Sequence, residues 1–132
     1  MAVDGLITLT SRHGQAETAD RLAAAATARG TAVVARVDHA KAAASVGLSL
    51  SPTEVVIFGN PRAGTPLMQA SQTMGIDLPL KALVWTDAAG VTRLSYDDPE
   101  WLAQRHGAGA GHEATLQAMR AFLAAVAAEA TG

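Results

Sequence analysis

The sequence contains no cysteine, and this absence removes several classes of chemistry at once. Disulfide bonds, thiolate metal sites and cysteine nucleophiles are all excluded, and no disulfide scaffold places the protein outside the cell. The histidines offer no substitute as metal ligands. His13, His39, His106 and His112 show neither an H-x-x-x-H spacing nor another close ligand pair, so we predict no metal site.

Clustered basic residues are also missing. The ten Lys and Arg residues form no run, and the formal net charge is −2. Non-specific nucleic-acid binding depends on clustered cations that neutralise phosphates, so we expect no nucleic-acid partner. No apolar run approaches the roughly 20 residues of a membrane span, and the N-terminal "MAVDGLITLTSR" lacks the basic segment of a signal peptide. We therefore expect a cytoplasmic protein that does not associate with membranes.

What the sequence does contain is the composition of a globular domain. Hydrophobic residues make up 49% of the 132 residues and charged residues 17%. A chain of this length buries somewhat more than about 60% of the surface that its unfolded form exposes, which is enough for a sizeable core. No linker and no repeat divides the chain, so we predict a single domain over residues 1–132.

Apolar periodicity and turn residues predict an α+β fold. We predict strands over 5–11, 31–38, 53–60, 81–87 and 91–96, and helices over 14–30, 39–47, 63–75, 97–107 and from residue 112 onward. This order suits a β-α-β4-α-type sheet with the two long helices on one face and short helical insertions between strands. The strand over 53–60 is the most apolar, and we expect it to be central.

The stretch "IFGNPRAGTPLM", residues 57–68, combines a turn with the start of a helix. We predict that Thr65 is the N-cap and Pro66 the first helical residue, where a missing N–H costs nothing. No Lys follows Gly64, so the stretch is not a phosphate loop. Two interpretations remain open. The corner is either a rigid, well-capped turn, or it forms a pocket in which free helical N–H groups and the amide of Asn60 bind an anion.

His39 and Lys81 are the candidates for charge and proton transfer. His39 directly follows the predicted cap Asp38, and it needs a second polar group within reach to act as an acid or base. Otherwise it is a half-exposed histidine at a helix start. Lys81 shares strand parity with Leu83 and Trp85. It either directs a cation into a cleft or lays its stem on the sheet while its amine reaches water.

Tyr96 and Asp97 complete the set of candidate ligand-binding residues. Tyr96 ends the predicted strand over 91–96, and Asp97 begins the next segment, in which Asp98 before Pro99 predicts the cap and first residue of a helix. Tyr96 is either a core residue with a satisfied hydroxyl or a ligand contact.

Together, the run from Asp38 to Asp87 and the later "LSYDDPEWLAQRHG" resemble a bacterial family known as domain of unknown function 302, DUF302. The run Phe58–Met68 and the segment Asp77–Lys81 are the most distinctive parts. The resemblance covers residues 31–107 closely and the outer helices loosely. It implies a fold similar to the TATA-binding-protein class, often found as a homodimer, and it implies no activity and no particular cofactor.

Three functional hypotheses follow. The first is a small soluble domain that binds a small anionic or polar ligand at the 59–66 corner, which His39 and Lys81 approach from neighbouring elements. The second is an enzyme of unknown reaction that uses His39 and Lys81 at that same pocket. The third is a protein-interaction module that uses an exposed sheet face. The candidate ligand-binding residues are His39, Asn60, Thr65, Lys81, Tyr96 and Asp97.

Overall fold

The computed structural model describes residues 2–132 and contains one antiparallel five-stranded sheet of order β1-β5-β4-β3-β2. The strands are β1 (Leu6–Thr10), β2 (Ala32–Asp38), β3 (Thr53–Gly59), β4 (Leu80–Thr86) and β5 (Thr92–Asp97). The helices are α1 (Gln15–Ala28), α2 (His39–Ser45), α3 (Pro61–Ala70), α4 (Pro99–His106) and α5 (Glu113–Thr131), and a 3-10 helix (Gln72–Ile76) follows α3. The predicted α+β class and β-α-β4-α order, with short helical insertions, are confirmed.

The long helices α1 and α5 pack together on one face of the sheet, as the sequence predicted. Leu22 of α1 and Leu123 of α5 are buried against Phe58, Val84 and Leu94 of the strands. These strand residues alternate with side chains on the opposite face, because successive residues of a strand point to opposite sides. We call the face opposite α1 and α5 the outer face.

The outer face carries a short hydrogen-bonded chain. Thr8 Oγ1 and Ser95 Oγ are 2.8 Å apart, and Trp85 Nε1 donates to Ser95 Oγ at 3.0 Å. Apolar side chains lie beside this chain, since Leu83 pairs with both Ser95 and Val55 in the strand register. The outer face is thus partly apolar and partly polar, with a buried serine at its middle.

The prediction that the strand over 53–60 is central is wrong, because β4 occupies the middle of the sheet. β3 lies between β4 and β2. Its continuous apolar run arises because Val56 and Phe58 are fully buried on the helix side, while Val55 and Ile57 are half-buried on the outer face. Such a run indicates an interior strand with a neighbouring strand on each side, but it does not show which interior strand lies at the middle of the sheet.

The prediction that Thr65 caps the helix is also wrong. α3 begins at Pro61, and Asn60 is its N-cap: Asn60 Oδ1 accepts a hydrogen bond from the backbone N–H of Arg62 at 3.0 Å. The pair Asn60-Pro61 already supplies the cap and first residue that Thr65-Pro66 was expected to supply, and asparagine is at least as good an N-cap as threonine. Pro66 consequently lies inside the helix.

The other predicted caps are confirmed. Asp38 Oδ1 accepts from the N–H of Lys41 at 2.9 Å at the start of α2. Asp98 Oδ1 accepts from the N–H of Glu100 at 3.0 Å, with Pro99 as the first residue of α4. The predicted helix over 63–75 is in fact two elements, because the extended backbone of Ser71 separates α3 from the 3-10 helix.

Candidate functional site at one end of the sheet

The corner that follows β3 lines a cavity of about 700 Å³. Phe58 and Leu80 close it on the sheet side, and Met119 and Phe122 of α5 form the facing wall. The rings of Phe58 and Phe122 meet edge to face, with centroids 5.8 Å apart. The remaining lining comes from residues 59–65, from β2 and the turn before it, and from residues 68, 78, 79, 115 and 118. Most of the wall is therefore apolar.

Polar groups lie at the cavity's boundary. Asn60, Arg62 and Thr65 come from the corner, and Arg29 comes from the end of α1. Arg29 is already engaged, because its NH1 donates to Glu129 at 2.7 Å and to the carbonyl of Ala25 at 3.1 Å. Arg62 is exposed and forms no ion pair with any residue from 2 to 132. The cation that remains available at this cavity is therefore Arg62.

The backbone of α3 offers less to an anion than the sequence suggested. Asn60 Oδ1 occupies the N–H of Arg62, and the carbonyl of Asn60 accepts from the N–H groups of Ala63 at 2.9 Å and Gly64 at 3.1 Å. Pro61 has no N–H. The expectation of unpaired N–H donors at this corner is wrong, because the corner satisfies them itself.

Lys81 does not approach the cavity. Leu80 lines it, and the next residue along β4 points to the opposite side of the sheet. Lys81 lies on the outer face, paired with Ile57, and its Nζ donates to the backbone carbonyl of Asp77 at 3.1 Å. The register of β4 and β5, extended by two residues from the Leu83–Ser95 pair, places Lys81 opposite Asp97.

His39 lies at the other end of the sheet. Its neighbour Asp38 pairs with Glu54 near the start of β3, whereas the corner follows Gly59 at the end of that strand. His39 is exposed and makes no side-chain hydrogen bond to residues 2–132. The expected approach of His39 and Lys81 to the corner is therefore wrong, and the hypothesis of an enzyme that uses both at one pocket loses its geometric basis.

The Tyr96 side chain lies neither at the corner cavity nor beside the side chains of Lys81 or His39. It is buried on the helix side of β5 and lines a smaller cavity of about 350 Å³ together with Ile7 and Gln117. Burial raises the pKa of the Tyr96 hydroxyl, and the negative charge of Asp98 adds to the effect, while Arg120 opposes it.

A cluster that sequence reasoning missed surrounds Asp77, beside Lys81. Asp77 Oδ2 accepts from Arg105 NH1 at 2.8 Å and from His106 Nε2 at 2.5 Å. The other ring nitrogen of His106 lies 2.9 Å from Thr73 Oγ1. The presence of Asp77 in the distinctive segment 77–81 was the available signal. Its partners are 28 and 29 residues away in the chain, so no local pattern connects them.

Two carboxyl groups of this region titrate in opposite directions. Burial would raise the pKa of Asp77, but the hydrogen bond from His106 and the charge of Arg105 outweigh it and lower the pKa. Burial and then the negative charge of Asp77 raise the pKa of Asp97, against the opposing effect of Lys81 and Arg105. Asp77 is thus held as a carboxylate, while Asp97 protonates more readily than an ordinary aspartate.

The sequence profile of a family described as "Domain of unknown function DUF302" matches residues 7–126. The chain belongs to the DUF302 family. The crystal structure of an uncharacterized conserved DUF302 protein from Bacillus stearothermophilus superposes with a TM-score of 0.84 at 19% identity, and the match covers 97% of this chain and 99% of that one. That likeness shows the shared fold.

Curated relatives of this DUF302 chain carry another name. A protein of Brucella suis named Fluoride-specific ion channel FluC 1 is 50% identical over 115 residues, which cover 87% of this chain and 45% of that protein. A protein of the same name from Brucella abortus is also 50% identical over 115 residues, covering 43% of its length. The chain therefore spans less than half the length of these relatives. Among residues 2–132, no helix has the length and apolar character needed to cross a membrane.

Proposed function

We propose that this DUF302 protein binds a small, mainly apolar molecule that carries one anionic group, in the cavity at the 59–65 corner. The observation that carries the proposal is a cavity of about 700 Å³ with an apolar wall and Arg62 unpaired beside it. Small-molecule sites typically occupy about 300–1,000 Å³ and combine apolar walls with a few polar groups that orient the ligand. A guanidinium group suits a carboxylate or phosphate because it can donate two parallel hydrogen bonds.

The corner supports this role in two further ways. Asn60 uses its side-chain oxygen for the cap, so its amide N–H₂ remains to donate to a ligand. Thr65 lines the cavity with a hydroxyl that makes no hydrogen bond to residues 2–132. Asn60 and Thr65 thus stay candidate ligand contacts, although Thr65 is not the cap.

The charge requirement is tested with a dansylated undecanoic acid as the fluorescent probe. Arg62→Ala is expected to weaken its binding about tenfold, equivalent to about 1.4 kcal/mol. Arg12→Ala is the matched control, because Arg12 is an exposed arginine that lines neither cavity. The methyl ester of the probe should bind wild type and Arg62→Ala equally. If Arg62→Ala and wild type bind the dansylated acid with equal affinity, the ligand's anionic group is not recognised by Arg62 and this part of the proposal is wrong.

The location is tested by filling the cavity. Ala118 is an exposed position of α5 that lines it, so Ala118→Trp should abolish probe binding with little loss of stability. Ala128→Trp places the same side chain on an exposed position of α5 that lines neither cavity. If both variants bind the probe as wild type does, the ligand site is not at this corner.

A second candidate function comes from the curated relatives. Proteins named fluoride-specific ion channels contain a counterpart of this chain at 50% identity. We propose that the chain acts as an accessory module of a fluoride channel. Deleting the matched segment from the Brucella suis relative should alter fluoride efflux from loaded vesicles, and adding this chain should restore it. An unchanged efflux rate after the deletion would contradict this role.

We also propose a homodimer, formed through the region of β2. β2 is an edge strand, and large apolar side chains are exposed on it and after α2: Val37 at 39%, Val46 at 71%, Leu48 at 67% and Leu50 at 49%. Exposed edges and apolar patches favour association. Light scattering should give a dimer mass that Leu48→Glu reduces to a monomer mass. A monomer mass for wild type across a wide concentration range would exclude the dimer.

A further inference from the structure

Thr73, His106 and Asp77 form a continuous hydrogen-bonded chain. Thr73 Oγ1 lies 2.9 Å from His106 Nδ1, and His106 Nε2 lies 2.5 Å from Asp77 Oδ2. None of these residues lines either cavity described above. We propose that they are a second, catalytic site in which Thr73 is a nucleophile that attacks small activated esters.

The chemistry of the three groups fixes their roles. An ionised carboxylate can only accept hydrogen bonds, so His106 Nε2 carries a hydrogen and donates a hydrogen bond to Asp77 Oδ2. In a neutral imidazole the other nitrogen, Nδ1, is then an acceptor and receives the hydrogen bond of the Thr73 hydroxyl. A hydroxyl, a base within reach and a third group that orients the base are the diagnostic arrangement of an activated nucleophile.

The surroundings support this order of groups. The side chain of His106 is 8% exposed and that of Asp77 is 19% exposed, whereas Thr73 lies at the surface. The base is therefore shielded while the hydroxyl meets solvent and substrate. Arg105, which donates to Asp77 at 2.8 Å, holds the carboxylate ionised and in place.

The reaction balances with an ester and water as the reactants. Thr73 Oγ1 forms a bond to the acyl carbon, and its proton passes to His106 Nδ1. The bond from the acyl carbon to the leaving oxygen breaks, and the leaving alcohol takes that proton. Water then attacks the acyl-threonine with His106 as the base, which releases the acid and restores the hydroxyl. Asp77 acts as a positioning residue, because its carboxylate is hydrogen-bonded to His106 and Arg105 and has no hydrogen bond to Thr73.

The test combines covalent labelling with ester hydrolysis on the complete chain. A fluorophosphonate probe should add one mass label, and peptide mass spectrometry should locate it at Thr73. Hydrolysis of p-nitrophenyl acetate should fall at least about 100-fold in Thr73→Val and in His106→Gln, which is the usual contribution of a general base. Thr73→Ser keeps the hydroxyl and should keep the label. Thr27→Val is the control, because Thr27 is an exposed threonine of α1.

The role of Asp77 has its own measurement. Asp77→Asn should lower kcat at least about tenfold and leave KM unchanged, because it disturbs the base without touching the substrate. A label absent from Thr73, or hydrolysis by Thr73→Val at the wild-type rate, would overturn the proposal. Both results are independent of the dansyl-probe titrations, so a negative result for the Thr73 site would not contradict ligand binding in the corner cavity.

Discussion

The N-cap of α3 can be located with two substitutions, Asn60→Ala and Thr65→Ala, because the sequence pattern and the structure predict different stability changes for them. Asn60 Oδ1 accepts from the N–H of Arg62 at 3.0 Å, whereas Thr65 is exposed inside the helix and makes no side-chain hydrogen bond to residues 2–132. Asn60→Ala should therefore cost about 1 kcal/mol of the free energy of unfolding. Thr65→Ala should gain about 0.5 kcal/mol, because alanine is the better residue in an exposed helix interior.

The two variants should thus differ by about 1.5 kcal/mol, or about 5 °C in Tm for a chain of this size. Urea denaturation followed by circular dichroism, without ligand, measures both. Asn60→Asp is the control, because aspartate keeps the acceptor and should stay within a few tenths of a kcal/mol of wild type. If Thr65→Ala loses as much stability as Asn60→Ala does, the cap assignment from the structure is refuted.

Three further outcomes are expected. The lowered pKa of Asp77 means that its ionised form stabilises the fold, so Asp77→Asn should be less stable than wild type at pH 7, with a difference that shrinks as the pH falls below the usual value of 3.8. The raised pKa of Asp97 means that its ionised form destabilises the fold, so Asp97→Asn should be more stable than wild type at pH 7, and this gain should vanish below pH 3.8. Urea denaturation at pH 7 and below pH 3.8 measures both aspartate variants, and a stability difference from wild type that does not change with pH would contradict the claim for that variant. Gly5 has a φ of 74°, and an added Cβ would clash with the ring of Trp101, so Gly5→Ala should cost at least about 1–2 kcal/mol of the free energy of unfolding and shift the tryptophan emission. Unchanged emission and unchanged stability would contradict this packing of Gly5 against Trp101.

Much of the fold could be predicted because its signals are local. Asp38 and Asp98 cap helices through bonds to N–H groups two or three residues away, and Gly90 adopts a φ of 81° in the turn between β4 and β5. Alternation and periodicity likewise revealed each strand and both long helices. The cap of α3 was missed because two Asx/Thr–Pro pairs stand five residues apart, and only the backbone shows which one begins the helix.

The candidate site was predicted only in part. Residues 59–65 of the predicted 59–66 corner do line the larger of the two cavities described. The other parts of its wall include residues of β2 and α5, which are distant from the corner in the sequence. Asp77, Arg105 and His106 were not candidates at all. Their contacts join the end of the 3-10 helix to the end of α4, and this proximity arises only when both elements pack around Met74 and Leu102.

The sequence by itself determined the class of fold, the order of elements and the membership of the DUF302 family, because these depend on residue spacing along the chain. The tertiary structure decided which face of the sheet α1 and α5 cover. β4 is apolar on both sides, with Ala82 and Val84 alternating with Leu83 and Trp85, so its pattern fits burial on either face. Packing of the two helices on the Val84 side placed Leu80 in the cavity and Lys81 on the outer face, and so separated residues that are adjacent in the chain.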